Sequence, residues 1–276
     1  MRKLALSSIV AATILTLAGV SNAAVVYDSN GFESPTFTVG ALSGQGGFTN
    51  FFPTTSSANW NVDGTRSAPG GVQSVSVSNL GTPAAPVTSF TWRDTNLTGI
   101  NASPEPIVTV SGSILRPAPE TGATNVSTSA AVGIYNIAGS LIAEVGVFNN
   151  TATAGAFGTF VPIFRAFNNA TPPVLTTFLA GTGATVLPDT WVNFSMELNY
   201  VTGTYTASIG GFTTTGIPFI TASTDLGDAD LTLRGGRGDT SFFDNLRIET
   251  SVIPEPTTLA LLGAAGVMVL RRKRHA

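Results

Sequence analysis

WVNFSMELNY, residues 191–200, decides the fold. Val192, Phe194, Met196, Leu198 and Tyr200 alternate with Asn193, Ser195, Glu197 and Asn199, so an extended chain here has one apolar and one polar face. Val201-Thr202-Gly203 then turns the chain into Thr204 to Ile209, and the two segments read as a hairpin. The same period of two recurs on either side. Gln73 to Ser78 puts Val75 and Val77 on one face, and Val87 to Arg93 does the same for Phe90 and Trp92. Ala130 to Tyr135 and Leu141 to Phe148 flank Asn136-Ile137-Ala138-Gly139, a second hairpin, and Phe242 to Ile248 supplies a closing strand. Gly, Pro, Asn and Asp separate these runs, and no long stretch has a 3.6-residue period. Strands with one apolar face bury it by packing two sheets together. The prediction is an all-β, antiparallel two-sheet β-sandwich.

The two ends of the 276-residue chain are of another kind. Met1-Arg2-Lys3, the apolar run Leu4 to Val20 and the small residues Ser21 and Ala23 have the layout of a secretory signal peptide, cleaved after Ala23 or after Ala24. An uncleaved signal anchor is the alternative. At the other end, Pro254-Glu255-Pro256 precedes an uncharged, mostly apolar segment, Thr257 to Leu270, and then Arg271, Arg272, Lys273 and Arg274. As a helix that segment spans roughly 21 Å against a hydrocarbon core of about 30 Å, a poor permanent anchor by itself. The basic run would keep the C-terminus cytoplasmic and the body outside. A plain tail anchor and a buried core helix are the competing readings. These boundaries divide the chain into a signal peptide (1–23), a sandwich domain (24–250) and a terminal sorting segment (251–276).

Composition narrows the chemistry of the body. Of 13 Lys and Arg, six lie in the terminal segments; the body keeps seven, all Arg, against fifteen of the 16 acids, a formal charge of −8. Bulk charge therefore argues against a nucleic-acid partner or an anionic polysaccharide. There is no cysteine, and the single histidine, His275, lies beyond the apolar tail. Thiol nucleophiles, Ser-His-Asp catalysis and ordinary zinc sites are thereby excluded from the body.

Pro254-Glu255-Pro256, the apolar segment and the Arg-rich end together resemble the PEP-CTERM sorting signal. The resemblance implies an exported protein processed by signal peptidase and by an exosortase-type transpeptidase, anchored transiently in the inner membrane and then sent to the cell surface or an exopolysaccharide matrix. Asp189-Thr190-Trp191-Val192 with Glu197-Leu198-Asn199-Tyr200 and Thr202-Gly203-Thr204-Tyr205 is similar to a hairpin of concanavalin A-like and laminin-G-like jelly rolls. Asn30-Gly31-Phe32-Glu33-Ser34-Pro35 and Phe243-Asp244-Asn245-Leu246-Arg247-Ile248 resemble the first and last strands of such domains. That resemblance implies paired chain ends, with Glu33 and Asp244 as candidate ligands of a structural Ca²⁺; the alternative is a turn-capping Asp and an exposed Glu. No other cofactor is expected.

Trp60, in the polar setting Ser56-Ser57-Ala58-Asn59, is the candidate for an exposed ring that stacks on a sugar, whereas Trp92 and Trp191 are expected in the core. Asp225, Asp228 and Asp230 read as a solvated acidic loop. Glycoside hydrolysis needs two carboxyls about 5–10 Å apart. No strand is read as carrying such a pair: Glu144 and Glu197 each stand alone, and no catalytic residue is assigned. A lyase built on Tyr135, Tyr200, Tyr205 and Arg165 remains formally open. The expected role is a non-catalytic carbohydrate-binding or structural protein associated with exopolysaccharide; the alternative is a polysaccharide-degrading enzyme.

Overall fold

A computed structural model describes residues 23–51, 58–79, 87–118, 127–150, 160–167, 175–179, 185–235 and 239–251. The signal-peptide reading up to residue 22 and the sorting tail from residue 252 lie outside the described residues. Among the described residues, no helix is long and apolar enough to cross a membrane.

The strands in chain order are β1 (Ala24–Asp28), β2 (Gly40–Ala41), β3 (Phe48–Phe51), β4 (Ala58–Asp63), β5 (Ser74–Asn79), β6 (Val87–Leu97), β7 (Ile107–Leu115) and β8 (Ser127–Tyr135). They continue with β9 (Leu141–Asn150), β10 (Val161–Phe167), β11 (Leu175–Leu179), β12 (Trp191–Asn199), β13 (Thr204–Ile209), β14 (Phe212–Pro218), β15 (Leu226–Gly235) and β16 (Thr240–Ser251). The hairpin of residues 191–209 forms as the alternation predicts, with Phe194 opposite Ile209 and Asn199 opposite Thr204. Asn199 fixes the turn: its Oδ1 accepts from the N–H groups of Val201 (3.0 Å) and Thr202 (3.1 Å), while Gly203 adopts φ 66°. The second predicted hairpin joins β8 to β9 through Asn136 to Gly139.

Two antiparallel sheets result. One has nine strands in the order β14-β13-β12-β7-β16-β5-β4-β2, with β1 on β16; the other has seven, β11-β10-β9-β8-β15-β6-β3. Their inner faces form one core from Val75, Val110, Phe194, Met196 and Phe243 on the larger sheet and Val132, Val145, Leu231 and Leu233 on the smaller. Tyr205 crosses between them, its hydroxyl donating to the carbonyl of Arg165. Gly112 is one point of close packing. It sits opposite Phe194, and a Cβ there would meet the Phe194 ring at 2.8 Å and the Asp244 carbonyl at 3.0 Å.

Three expectations fail here. Asp228 and Asp230 do not lie in a loop; they stand on β15, because Ala229, Leu231 and Leu233 between and beyond them fill the core and hold the segment extended. Trp92 is not a core residue: Ser89 and Thr91 take the buried face of β6, which turns Phe90 and Trp92 outward. Nor is Trp191, which is half-buried on the face of Asn193 and Ser195 because Val192, Phe194 and Met196 take the inner face of β12.

Candidate binding face

The two ends of the sandwich domain come together as expected. β1 pairs with β16, with Asp28 opposite Arg247, and Ser29 N–H donates to the carbonyl of Leu246 at 2.8 Å. The 3-10 turn Asn30–Phe32 then delivers Glu33 beside Asp244. Gly31 supplies the left-handed turn at φ 69°; a Cβ on it would be in ordinary contact, 3.4 Å from Asn245 Oδ1, 3.6 Å from Asp244 Oδ1 and 3.5 Å from Glu33 Cγ. Asp244 Oδ2 accepts from Ala68 N–H (2.7 Å) and Oδ1 from Asn245 N–H (2.7 Å). Glu33 Oε1 takes the N–H groups of Val72 (2.5 Å) and Gln73 (2.9 Å). Burial, reinforced by the Glu33 charge and opposed by the two N–H donors, pushes Asp244 up to about 6.

These oxygens suit a hard cation, and the seam borders a groove of about 670 Å³ along Asn30, Gly31 and Asn245. Among the described residues no third acidic side chain joins the pair. Since Ca²⁺ takes about six to eight oxygens, backbone carbonyls and water would have to complete its shell. Chelator is expected to lower the melting temperature of the wild-type domain and leave a Glu33→Ala, Asp244→Ala variant unmoved. A bound ion at a hundredfold excess over its Kd contributes about 2.7 kcal/mol. Superimposable wild-type curves with and without chelator would reject the ion.

Trp60 does not offer a sugar platform. It is 2% exposed and packs on Phe243 with centroids 5.9 Å apart. Its polar neighbours misled because they alternate with it: on β4, Trp60 and Val62 point into the core.

The aromatic surface lies instead on the outer face of the seven-stranded sheet. Register aligns a row across four strands: Trp92 on β6 faces Asp230 on β15, Asp230 faces Gly133 on β8, and Gly133 faces Glu144 on β9. The next row holds Asp94, Asp228 and Tyr135. Gly133 keeps the floor low: a Cβ on it would meet the Tyr135 ring at 3.0 Å, so glycine lets that ring lie over the sheet. Phe90 and Trp92 stand with centroids 6.0 Å apart, and with Tyr135, Asp228 and Asp230 they line a cleft of about 230 Å³.

Electrostatics on this face are dominated by acids. Asp230 is 5% exposed, and its Oδ1 is buried without a hydrogen-bond partner. Burial first, then the neighbouring Asp228, raises its pKa well above the usual carboxylate range, and the two carboxyls share a hydrogen bond. Glu144 is raised by burial and opposed by Arg165 and Arg234. Arg165 Nε sits 3.0 Å from Glu144 Oε1 as an ion pair, although its N–H is not aimed at that oxygen. Burial, then Asp230 and Glu144, raises Tyr135, so its hydroxyl stays protonated at neutral pH. The candidate lyase residues do not converge as a set: Tyr205 reaches through the core, and Tyr200 packs on Phe219 at 5.2 Å. Glu197 lies on the outer face of the other sheet, exposed.

No protein-family model matches this chain. No curated protein matches it either. Among solved structures it is similar to a conserved carbohydrate esterase from the Shiga toxin-encoding bacteriophage phi24B (TM-score 0.50, 12% identity, 83% of this chain and 99% of that one). It is also similar to a sialidase (TM-score 0.47, 6% identity, 82% of this chain), of which it spans only 18%. A third is the CBM22-1 xylan-binding domain from Paenibacillus barcinonensis Xyn10C (TM-score 0.36, 10% identity, 86% and 100%). At these identities the likeness to the phage esterase concerns the fold alone, an antiparallel two-sheet β-sandwich.

Proposed function

We propose that this chain is an exported surface or matrix protein whose sandwich binds polysaccharide, without turnover, on the outer face of the seven-stranded sheet. The observation that carries the reading is the cleft itself, where Phe90, Trp92 and Tyr135 stand beside Asp228 and Asp230. Aromatic faces match the C–H face of a pyranose, and carboxyl oxygens accept from its hydroxyls. Export is supported by the signal-like N-terminus and the PEP-CTERM-like tail, with exopolysaccharide as the partner and an exosortase-type enzyme as the processor.

A second reading, a polysaccharide-degrading enzyme, is favoured by one observation: Asp228 and Asp230 do form a carboxyl pair on one strand, one member protonated. Their mutual hydrogen bond holds them too close, since carboxyls that flank a glycosidic bond stand about 5–10 Å apart. Glu144 is engaged by Arg165. Binding is the better supported role.

The test uses protein recovered from extracellular material, whose C-terminus by mass spectrometry is expected near Pro256. Titrated with host exopolysaccharide, it should bind, and Trp92→Ala should weaken binding about tenfold, the loss of roughly 1.4 kcal/mol of stacking. Undiminished binding by Trp92→Ala would refute the site. Release of reducing ends that Asp230→Asn or Glu144→Gln abolishes would replace binding with catalysis, and recovery of intact Arg271 to Ala276 would refute the processing.

A further inference from the structure

Resting on the carbohydrate-binding reading above, we propose that the cleft between Phe90, Trp92, Tyr135 and the Asp228–Asp230 pair accepts the ammonium group of an amino sugar, a hexosamine unit of the polysaccharide whose nitrogen carries no acetyl group. Size, charge and one orphaned atom point to it. At about 230 Å³ the cleft falls below the range of about 300–1,000 Å³ usual for small-molecule sites, so it takes one compact group of a longer chain. Its walls are three aromatic rings, whose negative faces attract a cation.

The titratable groups around Asp230 come from four strands. Asp94 on β6, Asp228 on β15 itself and Glu144 on β9 all act on it with the same sign, and Tyr135 on β8 is a neutral phenol. The nearby cations of this face are Arg165 on β10 and Arg234 on β15; both act on Glu144, with which Arg165 is paired at 3.0 Å, and Arg165 also acts on Tyr135. Asp230 Oδ1, buried and unpartnered, is therefore an acceptor in a cleft whose acids outnumber its cations. A sugar hydroxyl would satisfy the oxygen but leave the charge; an ammonium satisfies both. A uronate or sulfate would be repelled, and an N-acetyl group carries no charge.

Binding is then coupled to a proton. The hydrogen shared by Asp228 and Asp230 breaks its O–H bond and leaves to solvent, the carboxylate so formed pairs with the ammonium, and the cation enters as the proton departs. Because the free cleft holds that proton with a pKa raised to about 9, binding releases it wherever the pH lies above the lowered pKa of the occupied pair, and affinity rises with pH there while the amine stays protonated.

Calorimetric titration of the purified chain with a glucosamine oligomer, its N-acetylated counterpart, an uncharged glucose oligomer and choline tests this. The free-amine oligomer is expected to bind at least about tenfold tighter than the N-acetylated one, as desolvated cation–π and charge-assisted contacts require. Between pH 5 and 6, where the amine keeps its proton, its affinity should rise, with proton release visible as a heat that differs between buffers of different ionisation enthalpy. Asp230→Asn and, independently, Asp228→Asn should each remove the preference for the free amine, with the unfolding midpoint checked so that a misfolded variant is not scored. Equal binding of free-amine and N-acetylated oligomers would overturn the inference and leave the carbohydrate reading standing. Choline binding as tightly as the glucosamine oligomer would transfer the cleft to free ammonium ligands and overturn the sugar assignment. No binding of any oligomer would overturn the inference, and no binding of host exopolysaccharide as well would sink both readings.

Discussion

Arg116→Met is expected to lower the unfolding free energy by about 3–5 kcal/mol, the usual cost of removing one member of a buried ion pair. Arg116 is 4% exposed, at the end of β7. Its Nη1 donates to the Thr240 carbonyl (2.9 Å) and to Ser241 Oγ (2.8 Å), its Nη2 lies 3.6 Å from Asp239 Oδ1, and its guanidinium stacks over Phe160 at 5.4 Å. Burial lowers its pKa to about 10, still far enough above neutral to keep the charge. Methionine fills similar space but supplies neither the hydrogen bonds nor the charge that faces Asp239. For a domain of this size the loss should lower Tm by roughly 10 °C. A loss below about 1 kcal/mol would show that the pair contributes little.

Trp60→Ala is expected to be about as severe, roughly 3–5 kcal/mol by thermal or denaturant unfolding, because a buried indole leaves a cavity that the sheet cannot close. Its ring contact with Phe243 sits beside the seam of the chain ends, so the damage should spread to the pairing of β4 with β5. Trp60→Phe should lose less than half as much: it retains an aromatic contact and removes the Nε1–H, which is buried without a hydrogen-bond partner. Neither variant should change polysaccharide affinity once folded. A Trp60→Ala protein with wild-type stability and lost binding would restore the stacking role that burial argues against.

The contrast between Trp60 and Trp92 shows what was legible. In both strands the alternation is present in the sequence, but which face of a strand meets the core depends on its partners. Trp60 has polar neighbours along the chain because β4 has a polar outer face; Trp92 stands outside because Ser89 and Thr91 occupy the inner one. Periodicity is a local property and does not say which face is inner when both carry candidates.

Local chemistry by itself determined the all-β class, the hairpins at 136–139 and 201–203, the apolar stripe of Trp191–Asn199 and the absence of thiol and histidine chemistry from the body, since strand period, turn residues and composition are all written in adjacent positions. The nearness of Glu33 to Asp244 was accessible only through the resemblance of the chain ends to jelly-roll strands. Trp92, Tyr135, Glu144, Asp228 and Asp230 sharing one face was decided by tertiary structure alone. They come from β6, β8, β9 and β15, and only the order β9-β8-β15-β6 and its register bring them together. Even the D-x-D spacing of Asp228 and Asp230 acquires meaning only there, because sheet burial, rather than the residues themselves, turns two ordinary carboxyls into a proton-sharing pair.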